Sequence, residues 1–253
     1  MLLAIDVGNT ETKIGVLDAA GMPQHHWRVT TEPRRTADEY GAFVTQLFAT
    51  AGVKRAEIDR VAIASVVPRL DHTLIAVCEK FFGVTPLMLE AQHQHLIAVR
   101  TDRPAEVGAD LVACAIGGRA RYGAPLIFVS YGTATVFMAI SPQGEYLGVA
   151  IAPGINLSID ALIGRTAKLP QIALDTPERA IGRNTVEALQ SGFIYGFVGQ
   201  TEAMIARMHE EMDVEARVIA TGGLADVVAR HSTMIERVDP HLSLLGLHLF
   251  ANG

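Results

Sequence analysis

Cysteine, aromatic residues and basic runs are scarce in this sequence, and each shortage narrows what the protein can be. The two cysteines, Cys78 and Cys114, lie in apolar, helix-like segments without CxxC spacing, so they read as buried thiols rather than a disulfide framework or metal ligands. His93 and His95 alternate on a polar stretch, but no HExxH motif or third ligand accompanies them. With no Lys/Arg run and a net charge of −6, neither nucleic acid nor a membrane surface is expected as the main partner. No apolar stretch reaches the roughly 20 residues of a membrane span, and no signal-peptide pattern precedes Asp6, so a cytoplasmic protein is expected.

What is present is a chain of 253 residues, 49% hydrophobic and 19% charged, which can bury a sizeable core as one domain or as two of about 120 residues. Its organising stretch is the opening, MLLAIDVGNTETKI, Met1 to Ile14. Alternating Leu3, Ile5 and Val7 describe a half-buried strand. Gly8 and Asn9 suit a tight, left-handed turn, and a second strand, Lys13 to Leu17, returns the chain. Such a hairpin gathers Asp6, Asn9, Thr10 and Lys13. Turn amides, a hydroxyl and an ammonium suit polyphosphate oxygens, and a nearby carboxylate can hold Mg²⁺ through water. A strand ending in Asp and an NT turn also occurs in proteins that bind nothing. The GxxxxGK[ST] loop is absent, and a hairpin rather than a helix follows the turn.

Further along, a strand over Gln24–Val29 is followed by an amphipathic helix over Thr36–Ala51, with Thr36 and Glu39 as its capping box. A buried strand over Arg60–Val67 leads into a helix from Pro68 to about Phe82. Two strand-like pieces, Leu87–Leu89 and Leu96–Val99, and a helix over Ala109–Arg121 come next. The opening order then recurs. An apolar strand over Pro125–Val129 meets the turn Ser130-Tyr131-Gly132-Thr133-Ala134-Thr135, and strands through Ile140 and over Glu145–Ile151 follow. A long helix from Thr185 to Glu211, capped by Asn184, contains Gly192, Gly196 and Gly199, which point to close helix packing. The strand Arg217–Thr221 ends in a Thr221-Gly222-Gly223 turn, and His241–Phe250 closes the chain as a helix. The repeated order predicts two pseudo-repeated α/β domains, 1–118 and 119–253, facing each other across a cleft.

Three turns at strand ends, DVGNT at Asp6, GTAT at Gly132 and ATGG at Ala220, occur in this order, and together they are far more specific than any one alone. With them the sequence resembles the actin-like (ribonuclease H-like) ATPase superfamily, and within it most closely the type III pantothenate kinases. The resemblance runs along the chain through PAEVGAD at Pro104–Asp110, YGTAT at Tyr131–Thr135, IAPG at Ile151–Gly154, TAKLP at Thr166–Pro170, GRNT at Gly182–Thr185 and ATGGLA at Ala220–Ala225. It implies that Asp6 organises Mg²⁺ through water and that Gly8, Asn9, Thr10 and Lys13 hold ATP phosphates. Gly132 and Thr133 would cradle them from the second domain, with Gly222 and Gly223 beside the adenosine. Asp110 would be the base for the attacking hydroxyl, with Thr101, Gly108, Ala109 and Leu111 around the acceptor. Thr185 would reach the partner subunit's site in a homodimer.

Four positions depart from the family pattern. Leu111 stands where the family has Arg, Ser130 where it has Asp, Thr101 where an aromatic residue is common, and Val149 where a glycine is usual. The resemblance implies that the absent Arg would contact pantothenate and that the absent Asp would bind a monovalent cation, K⁺ or NH₄⁺, leaving Ser130 as a weakened cation site. Two functions follow as alternatives. One is ATP-dependent phosphorylation of pantothenate, or of a related small hydroxylated acceptor. The other is a weak or inactive paralogue acting as a nucleotide-binding regulatory protein. Retention of Asp6, Lys13 and Asp110 favours the first.

Overall fold

Residues 1–253 are all described by the computed structural model, and they divide into two units, Met1–Gly123 with His241–Gly253, and Ala124–Pro240. The first opens with the expected hairpin. β1 (Leu2–Val7) pairs antiparallel with β2 (Glu11–Leu17), which pairs with β3 (Pro23–Thr30). After α1 (Ala37–Ala51), β4 (Arg60–Ser65) runs parallel beside β1, and β5 (Leu87–Met88) completes the order β3-β2-β1-β4-β5. The capping box of α1 forms as predicted. Thr36 Oγ1 accepts from the Glu39 amide at 3.3 Å while the Glu39 carboxylate accepts from the Thr36 amide at 2.7 Å, which satisfies two of the helix's unpaired donors. α2 (Pro68–Val77) continues through a wider turn over Cys78–Phe82.

The two faces of this sheet are built differently. Leu3, Ile5, Val7, Ile14, Val16, Val61 and Ile63 form one apolar core with Tyr40, Val44, Phe48, Leu70 and Leu74 of α1 and α2. On the other face β1, β2 and β4 present small residues, Ala4, Gly15, Ala62 and Ala64. There the sheet meets α7 (Leu242–Asn252), which packs in turn on α3 (Ala109–Tyr122). A Cβ on Gly15 would lie 2.8 Å from Leu244 Cδ1, so the leucine fills the space this glycine leaves on the sheet. β1 therefore has both faces covered, and even its polar residue, Asp6, is only 5% exposed.

The second unit repeats the plan. β6 (Leu126–Tyr131), β7 (Ala134–Ile140) and β8 (Tyr146–Pro153) are antiparallel neighbours, and β9 (Arg217–Thr221) runs parallel beside β6 with β10 (Arg237–Val238) outside it. The order β10-β9-β6-β7-β8 matches the first sheet strand for strand. Ile127, Val129, Tyr131, Phe137, Val218 and Ala220 pack against Ile155 and Ile159 of α4 (Ile155–Gly164), Val198 and Ile205 of α5 (Thr185–Met212), and Val228 of α6 (Ala225–Ala229).

Some expectations change. The closing helix belongs with the first unit and not with 119–253, because Gly117 and Gly246 let α7 press directly onto α3. Leu96–Val99 forms no strand beyond an isolated bridge at Val99. The Gln94 side chain accepts from the Ile97 amide at 3.0 Å and donates to the carbonyls of Ala91 and Ile97, so a side chain supplies what a ladder would. Neither Gly8 nor Asn9 adopts a positive φ. Gly8 is needed instead for close approach, since a Cβ there would stand 2.9 Å from the Glu11 carbonyl oxygen, to which the Gly8 amide bonds at 3.0 Å. Gly192, Gly196 and Gly199 show no close packing within the chain, where added Cβ atoms would meet nothing within 4 Å.

Candidate active site

In the first unit the charged residues converge at the end of β1. Asp6 and Lys13 are direct partners across the β1–β2 ladder, and the Lys13 ammonium donates to Asp6 Oδ2 at 3.1 Å. Burial alone would lower the Lys13 pKa, but the Asp6 carboxylate, with Cys114 and Glu11 adding to it, outweighs this and raises it. The ammonium is therefore fixed in its charged form, as a phosphate ligand requires. Asn9 and Thr10 lie exposed at the hairpin tip, which is held to the next strand's end by the Thr31 amide on Thr10 O at 2.9 Å and by Thr31 Oγ1 on Gly8 O at 2.7 Å.

Asp110 stands in the first turn of α3. Its Oδ1 accepts from the Leu111 amide at 2.8 Å, and a Cβ on Gly108 would lie 2.5 Å from that oxygen, so the glycine of the GAD motif leaves room for the carboxylate. Burial first, and the Asp6 charge second, push Asp110 up to about 6, with the Leu111 amide and the Lys13 charge opposing them. A carboxylate poised near 6 is ionised at neutral pH yet basic enough to take a proton. Thr101 lies in the loop ahead of α3 with its Oγ1 buried and without a hydrogen-bond partner, and half-buried Leu111 follows Asp110.

In the second unit the turns, not charges, come together. The Gly132 amide bonds Ala134 O at 3.0 Å, and the Gly154 amide bonds Thr133 O at 3.1 Å. A Cβ on Gly154 would collide with the Gly132 and Thr133 carbonyls, and one on Gly222 with the Tyr131 backbone. Gly222 also has a φ of 97°, which a residue bearing a side chain adopts only with strain. The YGTAT, IAPG and ATGG motifs thus meet as backbone. Tyr131 anchors this tip to α5 through a buried hydroxyl pair with Thr201 at 2.7 Å, and burial pushes its phenol up to about 12. Ser130 sits in register with Val136 and Thr221, and the buried Thr221 Oγ1 has no hydrogen-bond partner. Gly223 is exposed beside Gly222, Thr185 is exposed at the start of α5, and Val149 is exposed on β8.

Sequence reasoning did not reach Ser243. From α7 its Oγ donates to Asp6 Oδ2 at 2.6 Å, and the residue is 1% exposed. The only local signal is a hydroxyl inside an apolar run, LSLLGL, far along the chain from every phosphate motif. Cys114, read as a plain buried thiol, is indeed buried, and it also lies within electrostatic reach of Lys13.

A repeated sheet with a glycine-rich turn at the end of each first strand defines a class, the fold of the actin-like ATPases and sugar kinases. A solved structure of the activator of 2-hydroxyisocaproyl-CoA dehydratase from Clostridium difficile with bound ADPNP aligns over 99% of this chain and 93% of its own, with a TM-score of 0.53 at 12% identity, a likeness of fold alone. Within that class the family profile described as type III pantothenate kinase matches residues 2–207. Proteins named type III pantothenate kinase from Anaeromyxobacter sp. (strain Fw109-5) and Moorella thermoacetica are 46% and 47% identical over 249 residues, covering 98% of this chain and 98% of each relative. The chain belongs to the type III pantothenate kinase family.

Proposed function

We propose that the protein transfers the γ-phosphoryl group of ATP to the hydroxyl of pantothenate, giving 4′-phosphopantothenate and ADP at the entry to coenzyme A synthesis. The observation that carries this reading is the Asp110 carboxylate, held by the Leu111 amide in the space Gly108 leaves, within electrostatic reach of the Asp6–Lys13 pair. The hydroxyl oxygen forms a bond to the γ-phosphorus, the bond from phosphorus to the ADP oxygen breaks, and the hydroxyl proton passes to Asp110. Little covalent assistance is needed, because phosphoryl transfer depends on in-line positioning and charge neutralisation. In the first unit Lys13, Gly8, Asn9 and Thr10 are suited to phosphate oxygens; in the second, the backbone of Gly132 and Thr133 is suited to phosphate and that of Gly222 and Gly223 to the adenosine. Asp6 is a single carboxylate, which suits Mg²⁺ held through water and the nucleotide's own phosphates rather than by a protein cage. Both side-chain hydrogen bonds to this carboxylate end on Oδ2, which leaves Oδ1 for a metal-bound water. Bound with ATP, Mg²⁺ would neutralise charge on the transferring group.

Three finer readings join this one. The acceptor lies near Thr101, Ala109, Leu111 and Asp110, and apolar Leu111 contributes no bidentate contact to the pantothenate carboxylate. At the cation position Ser130 and Thr221 offer hydroxyls without a carboxylate, so K⁺ or NH₄⁺ activation is weak. The protein works as a cytoplasmic homodimer in which Thr185 completes the neighbour's site. Supporting the dimer, β8 exposes Leu147, Val149 and Ile151, the last at 68%, and α5 carries a glycine stripe with open space over it. Light scattering at micromolar protein should return the dimer mass.

The decisive assay follows ATP consumption with pantothenate beside a panel of small hydroxy acids. Pantothenate-dependent turnover is expected, and Asp110→Asn should lower kcat by about 10²- to 10⁴-fold with ATP affinity nearly intact. Equal turnover in the variant would remove Asp110 from the role of base.

A further inference from the structure

The closing helix reaches the site through one side chain. Ser243, buried on α7, donates to the same Asp6 oxygen as Lys13, at 2.6 Å against 3.1 Å. The helix that carries it cannot drift. Gly246 packs on the Ala113 carbonyl and Gly117 on the Leu242 carbonyl, each so closely that a Cβ would collide with backbone, while Leu244 fills the space over Gly15 on β2. Ala113 and Gly117 belong to α3, the helix whose first turn holds Asp110. One helix thus grips both the strand with Asp6 and the helix with Asp110.

From this arrangement we infer that Ser243 is a positioning residue: its hydroxyl, with Lys13, ties down Asp6 Oδ2 and so turns Oδ1 toward the metal that accompanies the nucleotide. A carboxylate fixed by one partner can still rotate about its Cβ–Cγ bond, whereas two donors from different directions on one oxygen define the plane. Partners behind a metal-facing carboxylate typically change metal affinity or activity by about 10- to 100-fold when removed. The inference rests on the assignment of Asp6 to Mg²⁺ given above, so that assignment is tested beside it.

ATP binding by calorimetry, with and without Mg²⁺, on wild type, Ser243→Ala, Ser243→Thr and Asp6→Asn separates the outcomes without relying on turnover. Ser243→Ala should weaken Mg²⁺-supported ATP binding by about tenfold and raise the Mg²⁺ concentration needed for half-maximal activity, while metal-free ATP binding shifts less than twofold. Ser243→Thr, which keeps the hydroxyl, should restore both. If Ser243→Ala does not fold, Ser243→Cys, close in volume and a weak donor, carries the same comparison. Equal losses with and without Mg²⁺, failure of threonine to rescue, or no change at all would overturn the positioning role. If Asp6→Asn also leaves Mg²⁺-supported binding unchanged, the Asp6 assignment itself falls, and the inference with it.

Discussion

On β1, Asp6 faces Lys13 across one ladder and Ala64 across the other; at the matching place on β6, Ser130 faces Val136 and Thr221. The sheets around these positions have the same strand order, yet one tip is an ion pair and the other is nearly all backbone. Charges belong where α3 and α7 shield the site, since low local dielectric strengthens a paired charge and penalises an unpaired one. Glycines belong where carbonyls and amides of several turns crowd together. Two copies of one topology have thus built their strand-end turns differently, one on charged side chains and the other on main chain.

The comparison predicts that the two tips break in different ways. Gly222→Ala should give the largest effect on stability. It forces a side chain onto a φ of 97° and against the Tyr131 backbone, costing about 2–4 kcal/mol and lowering Tm by several degrees in a thermal melt. A variant melting like wild type would mean that the second tip is not backbone-limited. Lys13→Met comes next and should act on function: ATP affinity by calorimetry should fall by roughly 10- to 150-fold, the worth of a charge-assisted contact of about 1.5–3 kcal/mol.

The third prediction concerns pH. With Asp110 raised from 3.8 to about 6 by burial and by Asp6, kcat/KM should fall about tenfold per unit below pH 6. The folded state holds this proton more tightly than the unfolded chain does. Its contribution to stability is therefore present below pH 3.8, is lost as pH rises to about 6, and stays lost above. Asp110→Asn should accordingly raise Tm at pH 8 and raise it less at pH 4, while turnover falls. The smallest effect is expected from Ser130→Asp, which restores to the second tip the carboxylate the first one has. It should give turnover a K⁺ dependence stronger than that of wild type, and strong K⁺ activation of wild type would show that other groups already bind the ion.

Much of this was legible in the residues. The strand at Leu3, Ile5 and Val7, the Thr36–Glu39 capping box and the recurrence of strand, glycine-threonine turn and strand are local patterns, and local geometry realises them, although the strand expected to be half-buried is buried on both faces once α7 covers the second. The motif residues Asp6, Lys13 and Asp110 do come together. The turn at Gly8 was misread because sequence shows that a glycine is needed but not whether φ or close approach demands it.

By itself the sequence determined the repeated α/β plan, the three glycine-bearing turns at strand ends and the identity of the charged residues, since each depends on spacing within a few positions of the chain. Only the tertiary structure decided that the last helix returns to the first unit, that Gly117 and Gly246 lock it to α3, and that Ser243 reaches Asp6 from 237 residues away. A contact over that separation depends on how two glycine-bearing helices and a small-residue sheet face close on one another, and no local periodicity encodes such a fit.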